Sequence, residues 1–282
     1  MSAATLAVAA SVAMHVTWNL IARRQPREAF PLWWVLLAHL LIFGHYGLYA
    51  LIMDTEWSLD FAALLVISAT ANAVYFLGLH KAYEHAPVAL VYPLVRSSPL
   101  LIAFWSTLLT NDTLATTTWI GIVISVVGLW ILSSSALQGS DRKALAWSLL
   151  AMFATSIYSL SDKAATASIP GFSGLLGFIS VGLFASWLTM SWVHKRVAGS
   201  WFPRQTIKAP ALLAGGLCVG LAYALVIHAM RYMPSAEVVT YTNSGIVVAT
   251  LISIFFFRER TDWRKRLVAA AIIVGGLAVM SI

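Results

Sequence analysis

Arg96 is the one charged residue in an apolar run spanning residues 87–109. At the centre of a membrane-crossing helix such a charge costs about 2.5–3.5 kcal/mol on insertion scales, so it must meet water, a polar partner or a ligand. A guanidinium can hold a carboxylate through two parallel hydrogen bonds. Tyr92 and Pro99 share its helical face. Other runs repeat the theme. His15, Trp18 and Asn19 stand at i, i+3, i+4, on one face of a helix. Asn72, Tyr75 or Phe76, Leu79 and Tyr83 share a face, with His80 beside it. Thr155, Tyr158, Ser159 and Asp162 recur further on, then Glu237, Tyr241 and Ser244 on one stripe with Asn243 next to it. Aromatic faces take rings and cations, and Arg or Asn can fix a carboxylate. The chemistry is therefore recognition of a small amphipathic zwitterion or flat cation. Binding candidates are His15, Trp18, Asn19, Asn72, Tyr75, His80, Tyr83, Tyr92, Arg96, Tyr158, Glu237, Tyr241 and Asn243.

Catalysis has less support. The chain carries no H-E-x-x-H, no G-x-S-x-G and no facing carboxylate pair. Its single cysteine, Cys218, permits no internal disulfide and suggests no metal cluster. No catalytic residue, metal or cofactor is expected. Asp162 and Lys163 read as a solvated helix end, and Asp112 and Glu259 as groups fixing helix ends at loop edges. Gly121 and Gly128, with Gly275 and Gly276, read as contacts for close helix packing. His39 and His45 receive no role.

The elements that must position these groups are membrane spans. Apolar residues make up 60% of the chain and charged residues 10%, against about 45–50% and about 25% in soluble domains. Mean hydropathy is +0.82. Apolar runs of the length a bilayer requires predict helices over 3–22, 32–53, 61–80, 87–109, 116–134, 144–162, 172–193, 209–230, 236–257 and 264–282. Pro31, Pro87, Pro170, Pro210 and Pro234 stand at or just before helix starts, where a missing N–H costs little. Trp33, Trp34, Trp57, Trp119, Trp147, Trp192, Trp201 and Trp263 cluster near run ends, as an interfacial belt would. The first run lacks a basic leader and reads as a retained span. Of eighteen Lys and Arg, fifteen fall in odd-numbered loops, while Lys163 and Arg231 fall in even-numbered ones. That bias makes odd loops cytoplasmic and both termini periplasmic. The +7 net charge is thus topology, and no nucleic-acid partner is implied, since that needs a basic patch on a soluble face.

Shifted by 147 residues, the chain aligns with itself without a gap. Ala82 meets Ala229, Pro87 meets Pro234, Ser97 meets Ser244, Asp112 meets Glu259, and Gly128 meets Gly275. Trp18-Asn19-Leu20 likewise lies over Tyr158-Ser159-Leu160, and Arg23 over Lys163. Five spans per copy is odd, so the copies cross the membrane in opposite senses. The fold class expected is an all-α integral membrane protein of ten transmembrane helices in two inverted repeats, 1–138 and 139–282. Such symmetry places a substrate site near the midplane, reached by rocking one half against the other. The predicted cavity is walled by spans 1, 3, 4, 6, 8 and 9, with spans 5 and 10 packed outside it.

On these residues the chain resembles the drug/metabolite transporter superfamily in its ten-helix, two-domain form. The resemblance covers essentially the whole length. It rests on Trp18-Asn19, Ala86-Pro87-Val88-Ala89, Pro99 thirteen residues before Asp112, the Gly121/Gly128 pair, and the second copy's Pro234-Ser235-Ala236, Glu259 and Gly275. The second copy departs at Ile246, where the proline is absent, and at Val268, where the first helical glycine is absent. Within the superfamily the chain is similar to bacterial exporters of aromatic and other neutral amino acids, some of which also expel paraquat. The resemblance implies an inner-membrane exporter of a small molecule, set in the lipid bilayer and working as a monomer. The alternative is an exporter of lipophilic cations or another metabolite. Small multidrug relatives carry an acid in the first helix, where this chain offers His15. That leaves facilitated export, or coupling through His15, His80, His228 or Glu237.

Overall fold

The computed structural model describes residues 2–22, 25–26, 29–109, 114–134, 142–258 and 262–282, without the side chains of 18–22 and 88–89. Asp112 and Glu259 lie outside the described residues. Regular structure among the described residues is helical throughout, as a lipid environment demands of a chain that must close its own backbone hydrogen bonds. α1 is Ala3–Ala22. α2 (Pro31–His39) and α3 (His45–Asp54) continue through a π turn at Leu40–Gly44, and α4 is Leu59–His85. α5 (Val88–Val95) and α6 (Pro99–Leu109) follow, then α7 (Thr116–Ser134), α8 (Arg142–Ala165), α9 (Phe172–Ala198) and α10 (Ala209–Met230). α11 (Ser235–Thr242) and α12 (Ser244–Leu251) precede a π turn at Ile252–Phe256, and α13 is Trp263–Met280. Among the described residues, seven helical stretches are long and apolar enough to cross a membrane.

Two predicted spans are interrupted. The run 87–109 breaks at Arg96-Ser97-Ser98. Pro99 has no N–H to give the carbonyl of Val95 and its ring crowds that group. The Ser97 and Ser98 amides turn instead to the carbonyls of Leu94 and Val95. The run 236–257 breaks at Asn243 without a proline. There Asn-Ser-Gly supplies two side chains that compete for backbone hydrogen bonds and one residue of low helix propensity.

The chain forms two compact units that do not follow its order. Unit 1 comprises Met1–Leu77 and Ser161–Tyr232, and unit 2 comprises Gly78–Leu160 and Met233–Ile282. In unit 1, α3 packs on α9 through Gly47 and Gly177, where a Cβ on Gly47 would stand 2.6 Å from the Gly177 nitrogen. Leu36, Leu51, Phe61, Phe178, Met190 and Ile227 fill its core. Trp33 belongs to that core, 2% exposed, with its indole N–H donating to Ser191 Oγ at 2.7 Å. It is a packing anchor and not part of an interfacial belt, because the α2–α9 contact supplies the hydroxyl its ring nitrogen needs. His39 is fully buried, with Nδ1 3.3 Å from the Gly216 carbonyl and Nε2 3.3 Å from Ser180 Oγ.

In unit 2, α7 and α13 pack antiparallel. Gly121 lies against Gly276 and Met280, and Gly128 against Ile273 and Ala269. Ser125 Oγ donates to the Ile273 carbonyl at 3.4 Å. Gly275 departs from its expected role: a Cβ there would meet nothing within 4 Å, because it points away from α7. Gly276→Ala is therefore expected to destabilise by roughly 1–3 kcal/mol through overpacking. Gly275→Ala should be neutral or stabilise by up to about 1 kcal/mol, the helix-propensity gain of alanine over glycine. Thermal melts of the two purified variants check this, and equal midpoints would contradict the packing.

Candidate functional site

The two helix breaks in unit 2 fall 147 residues apart and touch. Asn243 Nδ2 donates to the backbone carbonyl of Arg96 at 3.1 Å. An unbroken helix would give that carbonyl to the Leu100 amide, which here bonds Ser97 instead. The first break thus exposes an acceptor, and the residue at the matching position of the second copy satisfies it. Asn243 is fully buried, and its Oδ1, like Ser98 Oγ, has no hydrogen-bond partner among the described residues.

Around the break stand several of the predicted site residues. The Arg96 guanidinium carbon sits 5.5 Å from the centre of the Tyr92 ring, within cation–π range. Tyr92 in turn packs on the cluster of Leu129, Ile246, Val247, Ala270 and Ile273. Tyr83, from the end of α4, lies within electrostatic reach of both Tyr92 and Arg96. Arg96, Tyr92 and Tyr83 are each half-buried, and Arg96 Nε is itself buried. Ser97 turns its hydroxyl back to the Pro93 carbonyl at 3.0 Å and faces away from this task. Glu237, one turn before Tyr241 on α11, accepts from Thr118 Oγ1 of α7 at 3.0 Å. His80 Nε2 lies 3.3 Å from Glu84 Oε1, which Lys81 also engages. Tyr158 is half-buried on α8.

The remaining predicted residues belong to unit 1. Asn72 is 8% exposed and packs on Gly182 of α9. Tyr75 meets Phe76 edge-on at 5.1 Å between ring centres, and His15 is half-buried on α1. Trp18 and Asn19 fall in the last turns of α1, and their side chains lie outside the described residues. A groove between α4 and α9 is lined by Leu65, Ala69, Ala73, Val181 and Ala185, and among the described residues Thr70 and Thr189 are its polar side chains. It offers no charge and no aromatic ring for recognition.

Asp162 corrects the sequence reading. It is 1% exposed and accepts hydrogen bonds from Ser68 Oγ and Tyr223 Oη. α8 runs on to Ala165 and a 3-10 turn covers Thr166–Ser168, so Asp162 lies a full turn inside the helix. The signal was present in the sequence: Ala164, Ala165 and Ala167 sustain a helix that Pro170 ends.

A family profile described as the EamA-like transporter family matches residues 1–134 and again 142–282. No curated protein matches the chain. A solved structure, titled only as the crystal structure of a protein, is similar at 20% identity with a TM-score of 0.73. The match covers 99% of this chain and 98% of that one; at that identity it speaks for the fold.

Proposed function

Because the chain belongs to the EamA-like transporter family, and is thus a multi-pass membrane transporter, we propose that it exports neutral amino acids, aromatic ones preferentially, with the substrate carboxylate held by Arg96. The membrane is the bacterial inner membrane, with ten spans and both termini periplasmic. Two inverted repeats, 1–138 and 139–282, alternate access to a central site. Inversion is supported by α7 and α13: they occupy matching places in the two copies and run antiparallel. Discontinuous helices at a repeat axis are the usual ground for a transporter's binding site.

The observation that carries the reading is the half-buried guanidinium at the joined breaks, flanked by Tyr92 and Tyr83. A cation among aromatic rings suits an anion joined to an apolar or aromatic body. The same positive charge disfavours a lipophilic cation. Glu237, Tyr241, Tyr158 and His80 complete the polar lining in this reading. Asn243 acts through the Arg96 backbone, as a positioning residue.

The test is flux in proteoliposomes holding the purified chain. Radiolabelled phenylalanine should move saturably, leucine should compete, and tetraphenylphosphonium should not. Saturable tetraphenylphosphonium flux without phenylalanine flux would replace this reading with drug efflux.

A further inference from the structure

Unit 1 holds a buried carboxylate for which the substrate reading has no use. Asp162 of α8 receives one hydroxyl on each oxygen, Ser68 from α4 and Tyr223 from α10. Three helices therefore meet at one carboxyl group. Among the described residues its surroundings are neutral. From α4 the same face carries Ser68 and, a turn later, Asn72, neither of which titrates. From α10 comes Tyr223. Of the other titratable side chains on α10, Cys218 is half-buried and His228 turns edge-on to Phe172 and Tyr232. On α8 the chain neighbour Lys163 is half-buried. Among the described residues no charged side chain acts on Asp162, whose interactions are burial and the two hydroxyls.

A buried carboxylate is tolerated when a cation neutralises it, or when it can take up a proton. This one has hydroxyls in place of a cation. Hydroxyls suit both protonation states, because each can donate to a carboxylate or, after rotation, accept from a carboxylic acid. The heavy atoms need not move, but the strength of the tie changes. Bonds from hydroxyl to ionised carboxylate are roughly twice as strong as neutral ones. Uptake of a proton turns the carboxylate into a neutral acid and forms one O–H bond. It thereby loosens the link among α4, α8 and α10.

We propose that Asp162, with Ser68 and Tyr223, forms a proton-binding site whose charge state sets how firmly α4, α8 and α10 are tied, linking proton movement to transport. The link to transport rests on the transporter reading above; proton binding itself does not. Two measurements separate them. In the first, infrared difference spectra of the purified chain are recorded as pH is stepped. The wild type should show a carboxylic-acid carbonyl band that fades as pH rises. Asp162→Asn should lack that band, and Ser68→Ala, the variant held in reserve should Asp162→Asn fail to fold, should shift it. A wild-type spectrum without such a band, or a band unchanged in both variants, overturns the proposal.

In the second, proteoliposomes carry radiolabelled phenylalanine across an imposed gradient of about one pH unit. At one proton per substrate the wild type can accumulate label up to about tenfold, since one pH unit is a factor of ten in proton activity. Asp162→Asn should reach no more than onefold. Wild-type exchange without gradient-driven accumulation overturns the coupling, as does accumulation that follows sodium in place of protons. Absence of any phenylalanine exchange in the wild type counts against the substrate reading, and the infrared measurement then decides proton binding alone.

Discussion

Arg96→Ala is expected to lower phenylalanine flux by roughly ten- to a hundredfold while leaving yield and melting temperature near those of the wild type. The separation follows from which atoms do what. The break in the first copy is held by the Arg96 backbone carbonyl, through Asn243 Nδ2 at 3.1 Å, and alanine keeps that carbonyl. The guanidinium instead lies over Tyr92, on a side chain that is half-buried. A hydrogen bond to a charged group contributes about 1.5–3 kcal/mol, and about 1.4 kcal/mol is tenfold in affinity, which sets the range. Arg96→Lys tests geometry: bidentate grip should suffer, whereas a simple positive potential should survive. Asn243→Ala should behave in the opposite way, lowering the melting temperature by removing the bridge. Undiminished flux in reconstituted Arg96→Ala would rule out a transport role for this side chain. Equal loss of yield and flux would make it structural.

Gly47→Val should be a strongly damaging change in unit 1, costing roughly 3 kcal/mol. A Cβ at residue 47 would stand 2.6 Å from the Gly177 nitrogen and 2.9 Å from its Cα. Those are backbone atoms of α9 and cannot rotate aside, so α3 and α9 must separate along a seam that includes Leu51 and Phe178. Gly44→Ala is the control. Its Cβ would touch only the Leu40 side chain, at 3.7 Å, an ordinary contact. Fluorescence-detected melts of both variants decide the matter, and a Gly47→Val midpoint matching that of Gly44→Ala would show that the seam can yield.

What the sequence made legible was whatever depends on local composition. α1, α7 and α10 begin and end where their apolar runs do, and the last is bounded on both sides by charge, Lys208 and Arg231. Arg96 stood out because nothing else in its run is charged. Features that depend on a neighbouring helix were not legible. Trp33 looked interfacial until Ser191 of α9 was seen to hold its indole. Asp162 looked solvated until Ser68 and Tyr223, 94 and 61 residues away, closed over it. The break at Asn243 was hidden for a subtler reason: Ile246 stands where the first copy has Pro99, so the covalent cause of one break is replaced by a side-chain cause in the other. The glycines were read as a class, yet only neighbours distinguish Gly276, pressed on α7, from Gly275, facing away.

The interleaved make-up of the two compact units bears on how the chain is born. Unit 1 needs residues up to Tyr232, and unit 2 needs those up to Ile282, although the first part of each is made early. A ribosome that has delivered only residues 1–138 has therefore completed neither. Helices such as α3 and α7, with Gly47, Gly121 and Gly128 bare, must wait in the lipid for α9 and α13 to be inserted before their backbones can meet. Maturation is consequently a late event, concentrated after the last insertion. A chain cut within residues 135–141 yields two fragments that mature only when both are made in the same cell.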